Sequence, residues 1–304
     1  MVFQACAFGR PGGRPRVFFT GGIHGDEYEP MAALRRLARL LERAEVSGEV
    51  TLVPLANEEA FRLGARVAGD GLDLARTFPG RPDGTITEAV ADALTPLIRN
   101  ANFYVDLHTG GERLAVHPLC GYMLHPDPAV LDAQRRLARA FGLPIVWGTD
   151  PSLQGRSLSV ARDANVPALY AEFLGGGCDP RGVDAYVKGC LNLLRSLGMI
   201  AGTPEPPPFE PLVVEDPRVG SGHMQVRHPS PCEGFFEPAV KLGQRVEAGE
   251  PLGLVTDPLG RACVPVPADG SGVVIVLRRR PCVEAGESLG VVLETDGAPP
   301  PWDV

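Results

Sequence analysis

Lysine is almost missing from this chain of 304 residues: Lys188 and Lys241 are its only two, and every other basic side chain is arginine. Schiff-base chemistry on a lysine is all but excluded by that scarcity. Long apolar runs are missing too. None approaches the roughly 18 residues of a membrane span, so no membrane partner is expected. Met1 to Arg10 has no basic region ahead of its short apolar stretch, and a secretory leader is not expected. Positive charge is in deficit, with 37 acidic and 29 basic side chains and a net charge of −8. An acidic chain of this kind is a poor match for nucleic acid. The seven cysteines are odd in number and form no C-x-x-C pair, which fits a reduced, cytoplasmic protein with inert thiols. Two signatures are also absent, G-x-G-x-x-G and the P-loop, and Gly220-Ser221-Gly222 does not meet the spacing of the G-x-S-x-G elbow of serine hydrolases.

Glycine and proline are plentiful, at 37 and 31 residues. That much breaker content excludes helical bundles and coiled coils. With 44% hydrophobic residues the chain still has material for a core. Val17–Thr20 reads as a strand ending at Gly21-Gly22, and Asp26–Arg43 as a helix with Ala33, Leu34, Leu37, Leu40 and Leu41 on one face. Val50–Leu55 reads as a buried strand, and 58–86 as loop. Thr87 is the expected cap of a helix reaching about Ile98, with Pro96 near its end. Strands follow at Phe103–Leu107, Ile145–Trp147 and Ala168–Phe173. Helices are expected near 129–141, 157–165 and 183–197. Alternating strands and helices predict an α/β fold, with a mostly parallel or mixed sheet flanked by helices.

That pattern fills residues 1–200 and stops at a Pro-rich linker over 201–211. Residues 212–296 read as a small all-β domain, with a tail at 297–304. Within it Val246–Val255 matches Val283–Val292 in eight of ten positions, 37 residues apart. Two turn-plus-strand units suggest a barrel-sandwich-like module with quasi-twofold symmetry. Its phrasing resembles biotinyl and lipoyl carrier domains. Residues 256–282, between the repeats, hold no lysine to carry a prosthetic group. A structural or site-covering role is expected instead.

The chemistry concentrates at Gly21-Gly22-Ile23-His24-Gly25-Asp26-Glu27, between a strand and a helix. His24 and Glu27 can converge on one ion from that turn. A catalytic zinc takes three protein ligands and leaves one position open, and two histidines with one glutamate are an established set. His108, in Val105-Asp106-Leu107-His108-Thr109-Gly110-Gly111, supplies the third ligand from another strand end, where open sheets place their sites. Asp106 faces the same side as His108 and is a candidate outer partner for that imidazole. The remaining histidines, His117, His125, His223 and His228, are read as structural.

Several stretches together resemble the succinylglutamate desuccinylase/aspartoacylase family, relatives of the zinc carboxypeptidases. They are the His24–Glu27 motif, Pro54–Asn57, the Arg66 region leading to Asp73-Leu74-Ala75-Arg76-Thr77-Phe78-Pro79-Gly80, Asp106–His108, and Ala171-Glu172 followed by Gly175–Gly177. The resemblance spans about residues 15–200, and the β domain fits it as well. Among its branches the chain looks most similar to the N-acetyl-diaminobutyrate deacetylase type of ectoine breakdown. The resemblance implies one zinc ion per subunit on His24, Glu27 and His108. It implies Glu172 as general base for the attacking water and acid for the leaving amine, and Arg66 as the group that polarises the scissile carbonyl. Arg76 would hold a substrate carboxylate, with Arg156 a weaker second anion contact. Position 75 departs from the family: it is Ala where Asn is usual, which removes a donor to the substrate.

The implied activity is a zinc-dependent deacylase acting on a small N-acyl amino acid. A carboxypeptidase-like peptidase or peptidoglycan amidase is the alternative within catalysis. A metal- or ligand-binding regulatory protein on the same fold is the alternative outside it. A homo-oligomer stays open.

Overall fold

The computed structural model describes residues 3–261, 263–300 and 302. Residues 1 and 2 of the expected first domain, and 301, 303 and 304 of the expected tail, lie outside the described residues. Strands β1 (Cys6–Gly9), β2 (Arg16–Thr20), β3 (Glu49–Val53), β4 (Phe103–Leu107), β5 (Leu114–Val116), β6 (Leu119–Met123), β7 (Ile145–Thr149), β8 (Ala168–Glu172) and β9 (Leu212–Glu215) alternate with helices α1 (Tyr28–Leu41), α2 (Glu58–Leu63), α3 (Ile86–Asn100), α4 (Pro128–Phe141), α5 (Ser157–Asp163) and α6 (Pro180–Ser196). Among the described residues no helix is long and apolar enough to cross a membrane.

One sheet runs in the order β1-β3-β2-β4-β8-β6-β7-β9. It is mixed. β3, β2, β4 and β8 are parallel to one another, β1 is antiparallel to β3, and β6 turns antiparallel to β8. One face packs Phe19, Leu34, Leu37, Val105, Leu137, Phe173 and Leu193 under α1, α4 and α6. The other packs Phe18, Tyr104, Ala168, Leu94 and Leu158 under α3 and α5. Alternate side chains of each strand feed opposite layers, so both faces are dry and the strands read as continuous apolar runs.

Local chemistry moves several boundaries. The cap of α3 is Thr85, not Thr87. Thr85 forms a reciprocal capping box with Glu88, while Thr87 donates to Asp70 by backbone and hydroxyl at 3.0 and 2.8 Å. The span 58–86 is not all loop. Asn57 accepts from Ala60 N at 3.2 Å and starts α2, Gly64 closes it in the left-handed conformation, and a 3-10 turn follows at Leu74–Arg76. The strands at Cys6–Gly9, Leu114–Val116 and Leu119–Met123 went unread because each is short or interrupted by Gly and Cys.

Residues 201–211 carry neither helix nor strand. The chain does not then pass straight into the β module. β9 adds parallel to β7, so residues 212–215 belong to the first sheet. β7 is buried along its whole length and needs a neighbour for its backbone groups. The remaining strands are β10 (Gly234–Pro238), β11 (Arg245–Val246), β12 (Pro251–Thr256), β13 (Cys263–Pro267), β14 (Gly272–Arg278), β15 (Cys282–Val283) and β16 (Gly290–Glu294). They form two sheets around Val246, Leu252, Val255, Val283, Leu289 and Val292, which are equivalent positions of the repeat. The turns match as well, with Gly249 and Gly286 both at φ +88°. β14 also pairs with β5, and Leu114, Val116, Trp147, Met224, Ile275 and Val291 share a core across the two parts. The β module is thereby stitched to the α/β sheet beside the site.

Candidate metal centre and its cavity

Strand register assembles the site. Thr20, Asp106, Tyr170 and Gly121 stand in one row across β2, β4, β8 and β6. His108 and Glu172 lie two residues further along β4 and β8, so they face the same side at the strand ends. The His108 backbone N donates to Ala171 O at 2.8 Å and locks the two ends together. His24 sits in the turn after β2, and Glu27 immediately precedes α1. That turn can approach α2 only because residue 25 is glycine: a Cβ there would lie 2.0 Å from the Ala60 carbonyl carbon.

The expected trio converges. Ligand atoms of His24, Glu27 and His108 all lie within 4.8 Å of one another, and all three residues are buried. His24 Nδ1 is 2.7 Å from Glu27 Oε1, and His108 Nδ1 is 3.0 Å from Glu27 Oε2. Each imidazole thus turns Nδ1 inward and is held by a carboxylate at Nε2. Asp73 Oδ1 lies 3.1 Å from His24, and Asp106 Oδ2 lies 3.3 Å from His108. Outer carboxylates of this kind orient imidazoles that bind a metal. Asp106 is itself fixed by the Thr20 hydroxyl at 2.7 Å and by the Ser157 hydroxyl.

Electrostatics tell the same story. Burial pushes Glu27 toward the neutral form, but His24 and His108 overcome it and hold the carboxyl well below the usual range. Burial disfavours a charged His108, and Asp106 and Glu27 outweigh it, so its proton affinity is raised well above normal. Two imidazole nitrogens turned onto one buried carboxylate form a donor set that a divalent cation satisfies. The set and its outer partners fit a zinc ion.

Glu172 lies in the same pocket. It is buried, its Oε2 has no protein partner, and burial pushes its pKa up to about 8. Arg66 is clamped by Asp73 Oδ2 through Nε and Nη2 at 3.2 and 3.0 Å, and its Nη1 lies 3.6 Å from Glu27 Oε1. Arg76 donates to Ala75 O and to Gln225 Oε1, each at 2.8 Å. Burial and the nearby Arg156 lower its pKa to about 10. Arg156 has only a 3.5 Å contact to Gly222 O, and its Nε and Nη2 are buried without partners. Glu172, Arg66, Arg76 and Arg156, with Ala75, Met123, Leu158 and Tyr170, line one cavity.

Sequence reading missed three contributors. Asp73 was visible in its motif, but nothing local linked it to His24. Tyr170 looked like an ordinary strand residue. Gln225 lies beyond the linker and, with Gly222 and Met224, forms the far wall of the cavity. His117, His125 and His228 bond to backbone atoms outside this site.

Known proteins resemble this chain in sequence and in fold. A profile of the succinylglutamate desuccinylase/aspartoacylase catalytic domain matches residues 13–197. N-alpha-acetyl-L-2,4-diaminobutyric acid deacetylase from Halomonas elongata is 32% identical over 289 residues, covering 92% of this chain and 82% of that protein. The product-bound structure of the ectoine utilization protein EutE (DoeB) from Ruegeria pomeroyi superposes with a TM-score of 0.86 at 30% identity, covering 96% of this chain and 88% of that one. A succinylglutamate desuccinylase from Silicibacter sp. TM1040 gives a TM-score of 0.84 at 29% identity, over 95% of this chain and 88% of that one. The chain belongs to the succinylglutamate desuccinylase/aspartoacylase family.

Proposed function

We propose that this protein is a zinc-dependent deacylase that hydrolyses the amide of a small N-acyl amino acid to a carboxylate and a free amine. The observation that carries this reading is the convergence of His24, Glu27 and His108 beside a buried carboxylate, Glu172, with one oxygen free. The relatives named for N-acetyl-diaminobutyrate and succinylglutamate chemistry support it.

His24, Glu27 and His108 would hold one zinc ion per subunit, which would supply Lewis acidity at this point. Glu172 accepts the proton of the attacking water at its free oxygen and later donates it to the departing amine. A proton affinity near neutrality suits a group that works in both directions. Arg66, pinned by Asp73, presents Nη1 to the oxygen that gains charge. Arg76 and Arg156 hold substrate oxygen atoms, and the Gln225 contact keeps the Arg76 fork aimed into the cavity.

The test is hydrolysis of a panel of N-acetyl and N-succinyl amino acids beside short peptides. Turnover of the acyl amino acids that vanishes on chelation and returns with zinc is expected. Turnover confined to peptides, or indifferent to chelation, would overturn the reading.

A further inference from the structure

The loops that leave the metal ligands and the buried carboxylate are tied to one another outside the cavity. Residues 109–113 follow His108 at the end of β4, and residues 173–177 follow Glu172 at the end of β8. Gly110 N donates to Phe173 O at 3.1 Å, and Gly176 N donates to Gly111 O at 2.6 Å, so the two loops stay paired beyond the strands. The first loop is also tied to the turn that carries His24 and Glu27. Glu112 N donates to Asp26 Oδ2 at 3.1 Å. A Cβ at Gly111, where φ is +57°, would lie 2.6 Å from that same oxygen. Asp26, next to Glu27, is thereby linked through Gly111 to the segment that leaves Glu172.

This belt is fastened from the β module. In the pairing of β14 with β5, Arg278 stands opposite Leu114, which brings the residues after it to the loop 109–113. Arg279 N and Arg280 N donate to Arg113 O at 2.9 and 3.3 Å. The Arg279 side chain then reaches the second loop, where Nη1 donates to Gly175 O at 2.6 Å. Its guanidinium packs on Gly176: a Cβ there, at φ +83°, would come within 2.1 Å of Arg279 Cζ. A side chain at 176 would expel the guanidinium. Residue 177 is glycine too, yet a Cβ there would meet nothing within 4 Å, so the close approach is confined to 176. The neighbouring arginines are used differently. Arg113 and Arg278 pair with Glu287 at 3.1 and 2.8 Å, whereas Arg279 has no carboxylate partner among the described residues. Arg279 is exposed and lines no part of the cavity. Surface contacts usually add little to global stability. The consequence of this one is local, at the loop that leaves Glu172.

We propose that Arg279 is a positioning residue: by holding the Gly175–Gly176 loop against Gly111, it sets Glu172 relative to His108 and Glu27. The proposal rests on the deacylase reading. It gives the β module a part in the reaction besides the wall it contributes to the cavity. Arg279 touches no reacting atom and acts through the placement of the base, where an error of about 1 Å can cost about 100-fold in rate.

The experiment is a double-mutant cycle on the zinc-loaded enzyme, with wild type, Arg279→Ala, Glu172→Gln and the double variant assayed on the N-acyl amino acid that the wild type turns over fastest. Arg279→Ala is expected to lower kcat about tenfold, with KM and Tm close to wild type. In the Glu172→Gln background the same change should cost less than about twofold, because no base is left to misplace. Guanidinium chloride should restore kcat in Arg279→Ala where sodium chloride does not. Gly176→Ala should reproduce the loss, and Gly177→Ala should not. An unchanged kcat in Arg279→Ala, or an equal loss in both backgrounds, would overturn the proposal. If the wild type hydrolyses no acyl amino acid, the deacylase reading fails by itself. Hydrogen exchange of the metal-free protein then decides for the clamp. Faster exchange at the Gly176 and Glu112 amides in Arg279→Ala supports it, and exchange equal to wild type refutes it.

Discussion

Asp106→Asn isolates the electrostatics of the metal cluster from its geometry. Asp106 Oδ1 accepts from Thr20, and Oδ2 accepts from Ser157 and faces His108 Nε2 at 3.3 Å. An asparagine can keep its oxygen toward Ser157 and His108 and turn its amide toward Thr20 Oγ1, because that hydroxyl can donate to Tyr104 instead. Each contact survives in form, and the negative charge is lost. A neutral partner makes the imidazole a poorer donor, and removal of such an outer carboxylate lowers metal affinity by about 10–100-fold, or about 1.4–2.7 kcal/mol. A second consequence opposes the first. Asp106 is the strongest of the charges that raise the proton affinity of His108, so the variant suffers less competition from protons. The deficit should be full at pH 8 and smaller at pH 6. Zinc titration against a chromophoric chelator at both pH values reads it, with thermal melting of the metal-free variant as the folding control. Affinity within twofold of wild type at pH 8, or a deficit that widens at pH 6, would refute the reasoning.

Glu172→Gln should lower kcat by about 10²–10⁴, the usual contribution of a positioned base. In metal-free protein its effect on stability has a definite sign. Burial raises the folded pKa to about 8 from an unfolded value near 4.3, so the folded state binds this proton more tightly. The resulting stability is present at low pH and is lost as pH rises toward 8. The Tm of Glu172→Gln should therefore gain on wild type between pH 5 and 8; parallel curves would contradict this. Gln225→Glu puts a carboxylate on Arg76, where the amide oxygen now lies at 2.8 Å. KM for carboxylate substrates should rise about tenfold through competition for that guanidinium, and an unchanged KM would remove Arg76 from substrate binding. Gly25→Ala drives a Cβ to 2.0 Å from the Ala60 backbone, so α2 must shift at a cost of about 1–3 kcal/mol. Calorimetric melting should show a drop of several degrees.

The parts of the site legible in the sequence were those whose signal is local. His24, Glu27 and His108 stand at strand ends flanked by glycine, and the helix stripes around Leu34 and Leu37 or Leu137 and Phe141 repeat at helical spacing. Glu172 was legible through the family resemblance, and its place at the end of a strand agrees with it. The segment 58–86 was opaque for the opposite reason. Its helix is a turn and a half long, and Asp73 gains meaning only against His24, 49 residues earlier. Tyr170 fits an apolar strand by every periodic criterion, and only the glycine opposite it shows that the ring is steered into a cavity. The repeat at Val246 and Val283 was legible as a self-match of two units. Its attachment was not, because the pairings of β5 with β14 and of β9 with β7 join segments far apart along the chain.

By itself the sequence determined the class of sheet, the three converging donors and the doubled β unit, since periodicity, strand-end placement and self-similarity are properties of neighbouring residues. Only the tertiary structure decided which carboxylate stands behind each imidazole, which arginine nitrogens remain free and what wall faces the metal site. Those depend on register between strands and on a module that arrives after the linker. Alternation along a strand tells which face a side chain takes, but not which residue of another strand it meets there.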